Sequence, residues 1–153
     1  MSASHASEHV ARIDWKRGES GFAYSEYPRA HRVEYGGGVS HAMSAAPEFR
    51  GDAALPNPEE LLVAALASCH MLTFLAICAR KGIVVDRYED DARGVLEKGA
   101  NGKLQVTRVV LRPCITFAGA PPDAATLAKL HHQSHEGCFI ASSVKTEVTV
   151  EPA

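Results

Sequence analysis

Two of the four cysteines in this chain stand in settings where a thiol can do chemistry. Cys69 lies within a long apolar run that opens with Asn57-Pro58-Glu59-Glu60-Leu61 and passes through Ala67-Ser68-Cys69-His70. Cys138 follows a glycine in Glu136-Gly137-Cys138-Phe139-Ile140. Neither belongs to a Cys-x-x-Cys pair, so zinc-ribbon and thioredoxin spacings do not apply. If the two sulfurs meet, they form a redox pair, one thiolate attacking and one thiol closing a disulfide. If they do not meet, both are small core fillers, the common role of buried cysteine.

A thiol attacks as the thiolate, and an ordinary cysteine is mostly protonated at neutral pH. Cys69 stands about 15 Å along a helix axis from Glu59, and the dipole of a helix fades within its first turn. Burial among leucines raises a thiol pKa. A reactive Cys69 therefore requires a nearby cation, above all an arginine, which stays charged when desolvated. That arginine in turn needs a carboxylate. Glu59 is the natural one, acting through an arginine bridge or from the helix of a second copy. Cys78 reads as a core filler and Cys114, on a face with arginines, as incidental. His131, His132, His135 and Cys138 form a further cluster. His131 and His135 are one helical turn apart, which suits a metal, but histidines near a helix C-terminus are also favourable there without any ligand.

The elements that must position these groups are legible in outline. Val10 to Trp15 and Phe22 to Tyr27 read as strands around a turn-rich connection, followed by strands at Arg32 to Tyr35 and Val39 to Met43. Ala46 to Pro56 reads as an ordered loop. A long helix over about 57–81 starts at Asn57 as N-cap with Pro58 first, carries Glu59 and Glu60 at its positive end and Arg80 and Lys81 at the other, and stops at Gly82. It is apolar nearly all round, so it must be covered on all sides. One small domain covers one side, and a second copy is the easiest cover for the other, which predicts a homodimer. Val84 to Leu96 and Lys103 to Phe117 form a long hairpin around Asn101-Gly102. A second helix runs from Pro121-Pro122-Asp123 to Glu136, and a last strand from Val144 to Val150. Strands, helix, hairpin, helix, strand is an α+β order in a single domain, 1–153.

Composition narrows the function classes. The chain has 153 residues, 46% of them hydrophobic and 22% charged, the balance of a globular protein. A formal charge of −2 with no basic run argues against nucleic-acid or anionic-membrane partners. The helix is long enough to span a membrane, but alanine and serine dilute its hydrophobicity, so a membrane role is not expected. No secretory signal is visible at the start. Four cysteines without tight spacing then point to reduced thiols in the cytoplasm.

Taken together, Asn57-Pro58-Glu59-Glu60-Leu61, Ala67-Ser68-Cys69-His70 and Glu136-Gly137-Cys138-Phe139-Ile140-Ala141-Ser142-Ser143-Val144 resemble the OsmC/Ohr family of osmotically inducible and organic hydroperoxide resistance proteins. The resemblance covers most of the chain from Gly51 onward. It implies an intertwined α+β homodimer, with antiparallel sheets packed on two helices and the long helix central. It also implies a thiol peroxidase that needs no bound cofactor or metal, with Cys69 as peroxidatic and Cys138 as resolving cysteine, Glu59 as active-site glutamate, an organic hydroperoxide as substrate and an external dithiol of lipoyl type as reductant. No motif identifies the family's arginine. Arg17, Arg29 and Arg50 are candidates, and Pro28 favours Arg29 by fixing its approach. On this reading Cys69 is the buried nucleophile and Cys138 the mobile partner at a glycine junction. The reading of a different class is a non-enzymatic dimer that binds a small apolar ligand or a metal near Cys69 and Cys138.

Overall fold

The computed structural model describes residues 6–153. Its contacts fall into two compact units, one ending at Pro58 and one running from Glu59 to Ala153. The first unit is an antiparallel meander of β1 (Ala11–Asp14), β2 (His31–Tyr35) and β3 (Ser40–Met43), in the order β1-β2-β3. Ile13 faces Val33, and Val33 faces His41. The Gly36-Gly37-Gly38 turn closes the β2–β3 hairpin, with Gly38 at φ 86° and the Tyr35 amide donating to the Val39 carbonyl at 2.9 Å. Val33 and Met43 are the buried apolar side chains of its strands.

The strand expected at Phe22 to Tyr27 does not form, and β1 pairs with β2 instead. Side chains claim the backbone of this segment. Trp15 Nε1 donates to the Pro28 carbonyl at 2.8 Å, and Arg29 donates to the Tyr24 and Tyr27 carbonyls. The rings of Trp15, Phe22, Tyr24 and Tyr27 pack on one another at centroid distances of 5.2 to 6.3 Å. Carbonyls and rings used locally are not available to a ladder, which is why a β-rich composition yields a loop here.

The second unit is organised by α1 (Pro58–Arg80). Pro58 suits the first turn, where its missing N–H costs nothing. Gly82 at φ 71° ends the helix, with the Ile83 amide returning to the Cys78 carbonyl at 3.0 Å. Its buried residues are Leu66, His70, Phe74 and Cys78, one stripe at a spacing of four. Other apolar positions are open, with Leu72 60% exposed. By length and composition alone α1 could cross a membrane, but here its buried stripe is core.

The long hairpin is split into two sheets. Its arms break after Asp90 and at Arg112 into β4 (Val85–Asp90), β5 (Arg93–Lys98), β6 (Leu104–Leu111) and β7 (Pro113–Phe117). At the break the Arg112 amide leaves the ladder and donates to Asp90 Oδ1 at 2.7 Å. β4 pairs with β7, while β5-β6-β8 form the other sheet, in which β8 (Glu147–Val150) runs parallel to β6. The last strand is shorter than expected. Ahead of it, Thr146 bonds the Val106 carbonyl through its side chain at 2.8 Å. α2 (Ala124–Gly137) starts at Asp123, whose carboxylate accepts the Thr126 amide at 2.7 Å.

Two apolar clusters hang on α1. Leu66 packs with Val109 and Leu111 of β6, and Ile140, Val148 and Val150 join them. Phe74 and Cys78 pack with Leu130 of α2, and Tyr88, Ile115 and Phe117 join them. Cys69 lies along the helix between Leu66 and Phe74, near the point where one cluster gives way to the other.

Candidate active site

The crossing of α1 and α2 creates the site. Gly137 ends α2 so close to α1 that an added Cβ would stand 3.1 Å from Thr73 Cγ2. Thr73 is one turn beyond Cys69, and Cys138 is the next residue after Gly137. The crossing therefore delivers one cysteine to the other. The two thiols lie close enough that Cys138 lowers the Cys69 thiol and Cys69 raises that of Cys138, and both cysteines are free. Sixty-nine residues of chain close into one contact.

The turn after Cys138 completes the site. Burial pushes the Cys69 thiol up, but the Ile140 amide, the Cys138 thiol, the Phe139 amide and the Thr73 hydroxyl together outweigh it, so the thiol lies below its ordinary range. The Thr73 hydroxyl also donates to the Cys69 carbonyl at 2.8 Å. It has one proton to give, so the two amides and Cys138 are the steadier donors. Burial likewise pushes Cys138 up. The Ala141 amide, 3.4 Å from its sulfur, opposes this, and the neighbouring Cys69 adds to it. Cys138 therefore lies above its ordinary range. The pair is polarised in one direction, with Cys69 the first to become a thiolate and Cys138 the thiol that donates to it. Successive main-chain amides beside one sulfur form the kind of concavity that favours an anion.

One expectation is corrected here. Cys69 is half-buried, whereas Cys138 is 2% exposed, so the resolving position is the enclosed one. The exposed residue of the turn is Phe139, at 80%. Main-chain N–H groups also lower the Cys69 thiol.

Glu59 lies in the first turn of α1, half-buried, and its Oε2 is enclosed without a hydrogen-bond partner among the described residues. Arg29 lies in the first unit. Its guanidinium carbon is 4.6 Å from the centre of the Tyr24 ring and 3.6 Å from that of Tyr27, and Nη1 and Nη2 donate to the Tyr27 and Tyr24 carbonyls at 2.5 Å each. It lines a pocket of about 450 Å³ with Trp15, Phe22, Tyr27, Pro28 and His31. Arg17 is exposed and bonds the Ser20 carbonyl, and Arg50 bonds the Ser25 carbonyl. Of the three candidates, Arg29 is the one in that pocket.

The matching family model, described as OsmC-like protein, covers residues 51–153. The chain belongs to the OsmC-like family. A solved relative from Vibrio cholerae, an OsmC-like protein of unknown function designated VCA0330, is 46% identical, covers 97% of this chain and 100% of its own, and superposes with a TM-score of 0.92. The organic hydroperoxide resistance protein OhrB of Bacillus subtilis has the same fold at 19% identity, with a TM-score of 0.63 over 94% of this chain and 98% of its own. The uncharacterized protein YmaD of Bacillus subtilis is 22% identical over 117 residues, 75% of this chain and 77% of its own.

This OsmC-like protein also carries a buried pair that sequence reasoning missed. His70 Nε2 and His131 Nδ1 are 3.1 Å apart, with ring planes 12° from parallel, and Phe74 stacks on His131 at 4.6 Å. Burial, then His131 and His135, push His70 down to about 4, and burial pushes His131 down. Both imidazoles are therefore neutral at pH 7. Among the described residues no group of three or more histidine, cysteine or carboxylate side chains is placed to hold a metal. The one-turn spacing of His131 and His135 suits a metal in the sequence, but His131 is engaged with His70 instead. The signal for that partner was His70 on the buried stripe of α1, four residues after Leu66 and four before Phe74.

Proposed function

We propose that this OsmC-like protein is a thiol-dependent peroxidase for organic hydroperoxides, working through Cys69 and Cys138. The observation that carries the reading is the approach of the two cysteines where Gly137 lies against Thr73, with Cys138 lowering the Cys69 thiol and Cys69 raising that of Cys138. In the first step Cys69 attacks the distal oxygen of RO–OH. The O–O bond breaks, Cys69 becomes a sulfenic acid and the alkoxide leaves as the alcohol after taking a proton. In the second step the Cys138 sulfur displaces the sulfenic hydroxyl, an S–S bond forms and water leaves. An external dithiol, of lipoyl type, restores both thiols by exchange and is itself oxidised to a disulfide. No bound cofactor or metal enters the cycle.

Glu59 and Arg29 are assigned as the supporting carboxylate and guanidinium. The enclosed Oε2 of Glu59 supports a charged role for that carboxylate, and a guanidinium suits the cation because it stays charged when desolvated. The active form is a cytoplasmic homodimer, and the open apolar positions of α1, such as Leu61 and Leu72, support a second copy as their cover.

Intact mass after one equivalent of cumene hydroperoxide tests the reading. The wild-type chain should lose two hydrogens as the disulfide forms, and the Cys69→Ser chain should not change. Cys138→Ser should gain one oxygen and stop. An unchanged wild-type mass, or wild-type peroxide consumption by Cys69→Ser, overturns it. Arg29→Ala with normal turnover would remove Arg29 alone.

A further inference from the structure

We infer that Ser142 and Ser143 are positioning residues for the Cys69 thiolate, acting through the peptide group between Phe139 and Ile140. The Ser142 and Ser143 hydroxyls both donate to the Phe139 carbonyl, at 2.9 and 2.7 Å. That carbonyl belongs to the same planar peptide group as the Ile140 N–H. Within a trans peptide the two point in opposite directions, so holding the oxygen aims the hydrogen. Gly137 lies against Thr73 and Ile140 packs with the Leu66 cluster, so the turn lies on the stretch of α1 that holds Cys69, and the Ile140 amide is the foremost of the groups that lower its thiol. Two donors on the carbonyl also polarise the group, which makes its N–H a stronger donor.

The rest of the turn leaves this peptide little other support. The Ser142 amide bonds the Cys138 carbonyl at 3.1 Å and the Ser143 amide bonds the Ile140 carbonyl at 3.0 Å, so the main chain fixes the groups on either side. The Phe139 side chain, 80% exposed, supplies no packing anchor. The two serines are what tie the central peptide down. They are themselves exposed, so water replaces part of their effect when they are removed.

The inference deepens the peroxidase reading and rests on its assignment of Cys69 as the attacking thiolate, but its test needs no peroxide. The alkylation rate of Cys69 by iodoacetamide is followed by peptide mass in the reduced protein, between about pH 5 and 9. Ser142→Ala/Ser143→Ala should move the profile upward by about half a pH unit, a roughly threefold slower reaction at pH 7. Ser142→Thr/Ser143→Thr keeps both hydroxyls and should restore the wild-type profile, which a merely structural role would not predict. If the double alanine chain does not fold, the single variants carry the test, each shifting the profile in the same direction by less. An unshifted profile in the folded variants overturns the inference even if peroxidase activity is present. A shifted profile in a chain that ignores peroxides would sink the peroxidase reading and leave this one standing.

Discussion

A methyl group on Gly137 would stand 3.1 Å from Cγ2 of Thr73, next to Cys138 on one side and one turn from Cys69 on the other. Alanine at 137 asks Thr73 to give by a few tenths of an ångström. Valine asks for more and must push the end of α2 away from α1. Gly137→Val is therefore expected to slow peroxide-driven disulfide closure by about tenfold, since small misplacements cost reacting groups heavily. Sulfenic acid at Cys69 should then accumulate and be trapped by dimedone. Closure at the wild-type rate would show that the crossing does not control the pair.

Removing the donor on Cys138 should make Cys69 harder to ionise. The Cys138 thiol lowers the Cys69 pKa, so Cys138→Ala should shift the Cys69 alkylation profile to higher pH. Cys138→Ser retains an O–H donor and should shift it less. Equal profiles for the alanine and serine variants would mean that the thiol–thiol bond does not tune Cys69.

The His70–His131 pair predicts an acid-sensitive core. His70 titrates near 6.5 when unfolded and at about 4 in the folded chain. The unfolded state therefore binds more protons between these values. Stability from this site is complete above about pH 6.5 and is lost as pH falls towards 4, by on the order of 2 kcal/mol. Thermal melting should show the loss, and His70→Gln, which does not titrate, should show less of it. A variant whose melting temperature falls with pH as steeply as wild type would exclude His70 as the cause.

Trp15 is the single tryptophan, so its fluorescence reports on the loop that holds Arg29. Arg29→Ala releases the Tyr24 and Tyr27 carbonyls and empties the space between their rings. The Trp15 emission should shift to the red as water enters, and Arg29→Lys should only partly prevent this, because an ammonium does not stack as a flat guanidinium does. An unchanged spectrum for Arg29→Ala would show that the loop is held by its rings alone.

Features that depend on one residue type at one place are legible in the amino-acid sequence. Pro58 and Gly82 bracket α1 because one lacks a donor and the other accepts a positive φ. Gly102, at φ 76°, marks the turn between β5 and β6 for the same reason. The motifs around Cys69 and Cys138 point to the OsmC/Ohr family, to which the family match at 51–153 also leads. Where two structures use the same residues, composition does not choose. Phe22 to Tyr27 has the aromatic content of a strand, but Trp15 and Arg29 bond the carbonyls of the loop around it.

The amino-acid sequence by itself determined which cysteines stand in the family's motifs, which helix carries the first of them and where that helix starts and stops. Only the tertiary structure decided that Cys138, not Cys69, is enclosed, that His70 meets His131, and that the Phe139 and Ile140 amides lower the Cys69 thiol. The physical reason is that every residue but proline carries the same main-chain N–H, so no side-chain type marks the donors that ionise a thiol. Burial depends on segments far apart in the chain, such as those of Thr73 and Gly137, which lie close together here.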